Sequence, residues 1–114
     1  MARKTKNDPA KILGKPLNLA NILDYQPAAI VSRTLLDNDA GSITIFAFDR
    51  AQGLSEHTAP YDATVQIIEG AAEIKISGKP SRLKAGELII MPANKPHALR
   101  ALEKFKMLLI MLRS

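Results

Sequence analysis

Apolar and polar residues alternate with a period of two in "SITIFAF" (Ser42 to Phe48) and in "AEIKIS" (Ala72 to Ser77), the spacing of a strand with one buried face. In the second of these, Ile74 and Ile76 share one face while Glu73 and Lys75 share the other. Turn chemistry interrupts the chain at short intervals: "DNDAG" at Asp37 to Gly41, "AQG" ending at Gly53, "EG" at Glu69 and Gly70, "SGKP" at Ser77 to Pro80, "AG" at Ala85 and Gly86, and "PANKP" at Pro92 to Pro96. The segments between these stops are short and rich in Ile, Val, Phe and Thr, which predicts about eight strands and no long helix. That set of elements gives an all-β antiparallel sandwich or barrel.

Two segments depart from the alternation. "GELIIMP" (Gly86 to Pro92) and "FKMLLIML" (Phe105 to Leu112) are almost continuously apolar, so each is expected to be covered on both faces. One face of the last strand would pack in the domain. The other would meet either "LNLANILDY" (Leu17 to Tyr25), read as a short helix with Asn18 as N-cap, or a second copy of the chain in a homodimer. Residues 1–16 read as a basic flexible arm and residues 17–114 as a single domain.

With 114 residues the chain is long enough for one core. The absence of cysteine removes disulfides, thiolate zinc sites and thiol nucleophiles, so a metal would use His, Asp, Glu or water. The start lacks the apolar core of a secretory signal, and no apolar run reaches the roughly 20 residues that span a bilayer. A cytoplasmic protein without a membrane partner is therefore expected. The net charge of +5 is concentrated at the two ends of the chain, around an acidic middle. With two Tyr, three Phe, no Trp and no recognition helix, the pattern does not suit nucleic acid. A second copy and a small molecule are the partners expected.

The chain contains two histidines, His57 and His97. At these residues it resembles the cupins, a family of small jelly-roll barrels with two motifs, G-x5-H-x-H-x3,4-E-x6-G and G-x5-P-x-G-x2-H-x3-N. The second motif fits "GELIIMPANKPHALRA" at Gly86, Pro92 and His97, and the first fits at His57 and Gly70. Other positions depart from the family. Ala59 stands where the second histidine would be, Ala63 where the glutamate would be, and Ala51 where the opening glycine would be. Asn94 replaces the glycine of the second motif and Ala101 its asparagine.

The resemblance implies a double-stranded β-helix (jelly-roll) in which metal-binding relatives converge three histidines and a glutamate on one ion. Carried over, it leaves His57 and His97 as the candidate ligands, with zinc, nickel, iron or copper the divalent metals suited to imidazole. Glu56 and Asp62 flank the vacated positions, but strand alternation turns a residue one position off to the opposite face unless a bulge re-aims it. By the same parity Gln66 faces out with Thr64 and Ile68, leaving Ala63, Val65 and Ile67 inside. Ala59, Ala63, Val65, Met91 and Leu99 are the expected pocket-lining residues.

Two functional readings follow. One is a metal-dependent dioxygenase- or isomerase-type cupin acting on a small polar metabolite. The other is a non-catalytic ligand-binding or accessory cupin with a degenerate metal site. Met107 and Met111 read as core filler, and Arg100 as an outward-facing side chain.

Overall fold

A computed structural model of the chain describes residues 12–113. Most of the expected basic arm, residues 1–16, lies outside the described residues. Nine strands follow one another: β1 (Ile30–Asn38), β2 (Gly41–Phe48), β3 (Gly53–His57), β4 (Asp62–Glu69), β5 (Ala71–Ile76), β6 (Lys79–Lys84), β7 (Leu88–Met91), β8 (His97–Ala101) and β9 (Phe105–Leu112). They form two antiparallel sheets, one ordered β1-β2-β9-β4-β7 and the other β3-β8-β5-β6. The alternating segments read from the sequence are β2 and β5, and the continuously apolar ones contain β7 and β9.

The inner faces of both sheets make one core. Ala63, Val65 and Ile67 on β4, Ala72 and Ile74 on β5, Leu99 and Ala101 on β8 and Met107 on β9 are all buried in it. Phe48 and Phe105 are register partners, and their rings stack at 4.4 Å between centroids. This contact closes the β2–β9 ladder at the end where the chain enters β9. Burying two phenylalanine rings contributes about 1.5–3 kcal/mol each.

The N-terminal segment corrects one expectation. No helix occurs among the described residues, and Leu17 to Tyr25 forms turns instead. Asn18 does cap a turn, accepting from the Ala20 amide at 3.1 Å, and the Asn21 amide donates to the Asn18 carbonyl at 3.0 Å. The Ala20 carbonyl accepts from the Lys106 ammonium, a contact that fixes the turn against the barrel. A nine-residue helix is marginal without tertiary support.

Lys106 is buried, on the outer face of β9, and is surrounded by compensating groups. Glu69 lies 3.8 Å away, the Tyr25 ring centroid lies 4.9 Å from its ammonium, and the Tyr25 hydroxyl donates to Glu69 at 2.6 Å. Burial first, and then the Glu69 carboxylate that accepts its proton, hold the Tyr25 hydroxyl well above its ordinary value. This cluster fastens the N-terminal segment to the barrel. Ile45 and Ala47, which face outward on β2 beside it, are fully buried.

Gly70, which ends the first motif, turns the chain from β4 into β5 with φ of +80°. A Cβ there would overlap the Lys104 carbonyl, so both the conformation and the space require glycine. Gly78 has a similar φ of +81°, but a Cβ there would meet nothing within 4 Å. Gly70→Ala is therefore expected to cost more than about 3 kcal/mol and Gly78→Ala about 1 kcal/mol, measured as the difference in urea unfolding free energy.

Candidate functional site

The two histidines meet across the β3–β8 ladder. Leu54 lies opposite Leu99 and His57 opposite His97, so three steps along β3 match two along β8. The extra residue is a β-bulge, and it reverses the parity of everything after it. In a regular ladder Glu56 would face His97; the bulge instead turns His57 to that side and leaves Glu56 exposed. β3 is an edge strand, where a bulge of this kind disturbs pairing on one side only.

The rings are nearly perpendicular, 75° between planes, with centroids 4.3 Å apart and Nε2 atoms 3.1 Å apart. Each Nδ1 is directed at a backbone carbonyl two residues earlier. The distances are 2.7 Å from His57 to Ser55 and 3.3 Å from His97 to Lys95. The two Nε2 atoms are within hydrogen-bond distance of each other, and a carbonyl can only accept, so the rings form one chain of contacts from the Ser55 carbonyl through both imidazoles to the Lys95 carbonyl, with a proton shared between the Nε2 atoms.

The environments of the two rings differ. His97 is buried and His57 is exposed, so the pair lies where β3 ends and β8 begins with one ring inside and one facing solvent. Burial first, and then the neighbouring His57, lower the pKa of His97, with the Lys95 carbonyl opposing the shift. His97 is thus held neutral, the form that coordinates metal.

No third ligand joins them: among the described residues no group of three or more His, Cys, Asp or Glu is placed to hold a metal. Asp62 is exposed and accepts from the Ala93 amide at 2.8 Å, bracing the loop before β8. The Asn94 amide donates to the Ala59 carbonyl at 2.8 Å, tying the same loop to the stretch after His57. The structure places Ala63, Val65, Met91 and Leu99 in the core cluster, and Ala59 is half-buried. Gln66 faces outward, between Leu88 and Leu108. Arg100 is exposed and reaches Glu73 at 3.4 Å on the outer face of the smaller sheet.

Two departures from the family motifs have a visible consequence. Asn94 and Ala51 stand where the motifs have glycine, and their φ values are +65° and +68°. The left-handed turns have been kept without the residue that suits them best. Asparagine tolerates this region, whereas alanine is strained there. The sequence shows the missing glycines but not that the backbone still needs them.

The comparisons follow from this fold and these histidines. A family model described as a cupin domain matches residues 45–112. The chain is similar to a conserved protein of unknown function from Streptococcus pyogenes, at 39% identity over 89% of each chain and a TM-score of 0.84. It is also similar to a cupin 2 conserved barrel domain protein from Leptotrichia buccalis, at 40% identity and a TM-score of 0.82. That match covers 84% of this chain and 47% of the other, so the chain spans about half of that protein. A cupin superfamily protein from Desulfitobacterium hafniense matches at 29% identity, over 89% of this chain and 93% of the other, with a TM-score of 0.83. No curated protein matches.

Two predictions arise here. Because His97 has a lower pKa folded than the roughly 6.5 of an unfolded histidine, the unfolded state binds more protons just below that value. The stabilising effect is complete above about pH 6.5 and is lost as pH falls. Thermal midpoints of chelator-treated protein between about pH 7.5 and about pH 5 should fall more steeply for the wild type than for His97→Gln. Ala51→Gly, at an exposed position, should raise the unfolding free energy by about 0.5–1 kcal/mol, read from urea titrations.

Proposed function

We propose, from the premise that the chain belongs to the cupin family, that His57 and His97 hold a divalent transition metal where β3 ends and β8 begins and that a small polar metabolite binds there. The observation that carries this reading is the convergence of the two Nε2 atoms at 3.1 Å. At that separation both Nε2 atoms could reach one ion, which His57 and His97 would hold between them. Both rings are oriented through Nδ1 by backbone carbonyls, the outer-shell arrangement that favours coordination through Nε2.

The donor set is two imidazoles, which suits zinc, nickel, copper or iron better than magnesium or calcium. Two protein ligands leave adjacent positions open to water or to oxygen atoms of a metabolite. A bound metal would supply Lewis acidity to such an oxygen. His57, exposed, meets the incoming molecule, and His97, held neutral inside, keeps its lone pair available. Ala59 and Ala63 bring no donor atom to the positions of the missing ligands, so the two histidines would hold the ion alone. A dioxygenase- or isomerase-type reaction is the enzymatic form of this proposal.

A second reading, a ligand-binding or accessory cupin without chemistry, is favoured by one observation: Ala63, at the glutamate position, is buried in the packed core. Elemental analysis of the untagged full chain separates the two. Near-stoichiometric transition metal is expected in the wild type, with affinity at least about tenfold lower in His57→Ala and in His97→Ala. No uptake of zinc, nickel, iron or copper on reconstitution would end the metal reading and leave the non-catalytic one.

A further inference from the structure

The register places Val31 and Arg33 on the outer face of β1, opposite Ala47 and Ile45, at one edge of the larger sheet. This strand and the N-terminal segment together enclose a hollow of about 220 Å³, whose lining includes Asn21, Ile22, Asp24, Gln26, Val31 and Arg33. The wall supplied by the segment is fixed along its length. Lys106 holds the Ala20 carbonyl before it, the Tyr25 hydroxyl donates to Glu69 within it, and the Ala28 amide donates to Asp49 at 2.6 Å after it.

Arg33 is half-buried, yet among the described residues it forms no ion pair and donates no side-chain hydrogen bond. Arg82 and Arg100 share Glu73, and Arg113 is held by Asp37; Arg50 also lacks a partner there but is exposed. A guanidinium drawn partly out of water without a counter-charge has donors in want of an acceptor. Asp24 lines the same hollow, and no ion pair joins it to Arg33. Two opposite charges therefore border one small space without neutralising each other. We propose that this hollow binds a free α-amino acid with an apolar side chain, its carboxylate on Arg33, its ammonium on Asp24 and its side chain against Ile22 and Val31.

Charge selects this class of ligand. A simple anion would satisfy Arg33 but meet its like at Asp24, and a simple cation the reverse, whereas a zwitterion brings one charge for each. The planar fork of Arg33 suits a carboxylate, and Asn21 and Gln26 offer neutral amides for the remaining polar atoms. Size agrees with charge: the hollow is smaller than the roughly 300 Å³ at which pockets for drug-sized molecules begin, and it equals the liquid volume of about seven waters. A wall already fastened by Lys106, Glu69 and Asp49 needs little ordering when a ligand arrives. The inference is independent of the metal reading, since the histidines belong to the other sheet.

Titration calorimetry of the full chain with leucine at millimolar concentration tests the proposal, beside isocaproate, which lacks the ammonium, and isoamylamine, which lacks the carboxylate. Leucine should bind at least about tenfold more tightly than either analogue, and equally well with and without a chelator. Arg33→Gln should weaken leucine at least about tenfold and leave isoamylamine unchanged. Asp24→Asn should weaken leucine similarly without weakening isocaproate; Asp24 is exposed, so this variant keeps the test decisive whatever Arg33→Gln does to folding. Lys75→Glu, on the other sheet, should change nothing. Absence of leucine binding, or leucine binding indifferent to Asp24→Asn, would overturn the proposal. Binding abolished by the chelator would overturn it equally, by moving the ligand to a metal on the histidine pair.

Discussion

The pairing of β9 between β2 and β4 is the constraint on which the rest of the molecule depends. The ninth strand in chain order is the central strand of the larger sheet, so that sheet is complete only when this segment has returned to it. Such long-range pairing has a high entropic cost before it is rewarded, and the apolar sequence of β9 supplies the compensation. Its inner face, with Phe105 stacked on Phe48 and Met107 buried behind, closes the core. Its outer face carries Lys106, which anchors the N-terminal segment, and the apolar Leu108 and Ile110.

The site depends on a smaller irregularity. Were the β3–β8 ladder regular, a glutamate would face His97 and the exposed histidine would point away. One inserted residue exchanges them, and the resulting pair is oriented entirely by main-chain carbonyls at Ser55 and Lys95. Bulges on edge strands beside functional positions commonly re-aim a side chain in this way. The loops that flank the pair are tied together by Asp62 and by the Asn94 amide, so a carboxylate that strand parity turns away from the vacated ligand position serves as a brace.

The left-handed residues and the buried lysine belong to a common pattern. Ala51 and Asn94 hold turn conformations that glycine would adopt more cheaply, and Lys106 sits inside the protein where an apolar residue would need no partner. Strain and buried charge of this kind persist only where neighbouring structure determines them. Around Lys106 the determinants are Tyr25, Glu69 and the Ala20 carbonyl, contributed by two segments distant in sequence.

By itself the sequence determined the all-β class, the positions of the strands, the inner and outer sides of β4 and β5, and the two imidazoles on which the family motifs fall. Period-two alternation and turn residues are local properties, and they survive whatever the rest of the chain does. The tertiary structure alone decided three things. It directed His57 toward His97, because a bulge changes parity without any side-chain signature. It laid Leu17 to Tyr25 down as turns against the barrel, where the Ala20 carbonyl accepts from a lysine more than eighty residues away. It assembled Leu36, Ile43, Ile110, Thr64 and Ile90 into one row, because register between strands is a relation among distant segments that no single stretch of sequence contains.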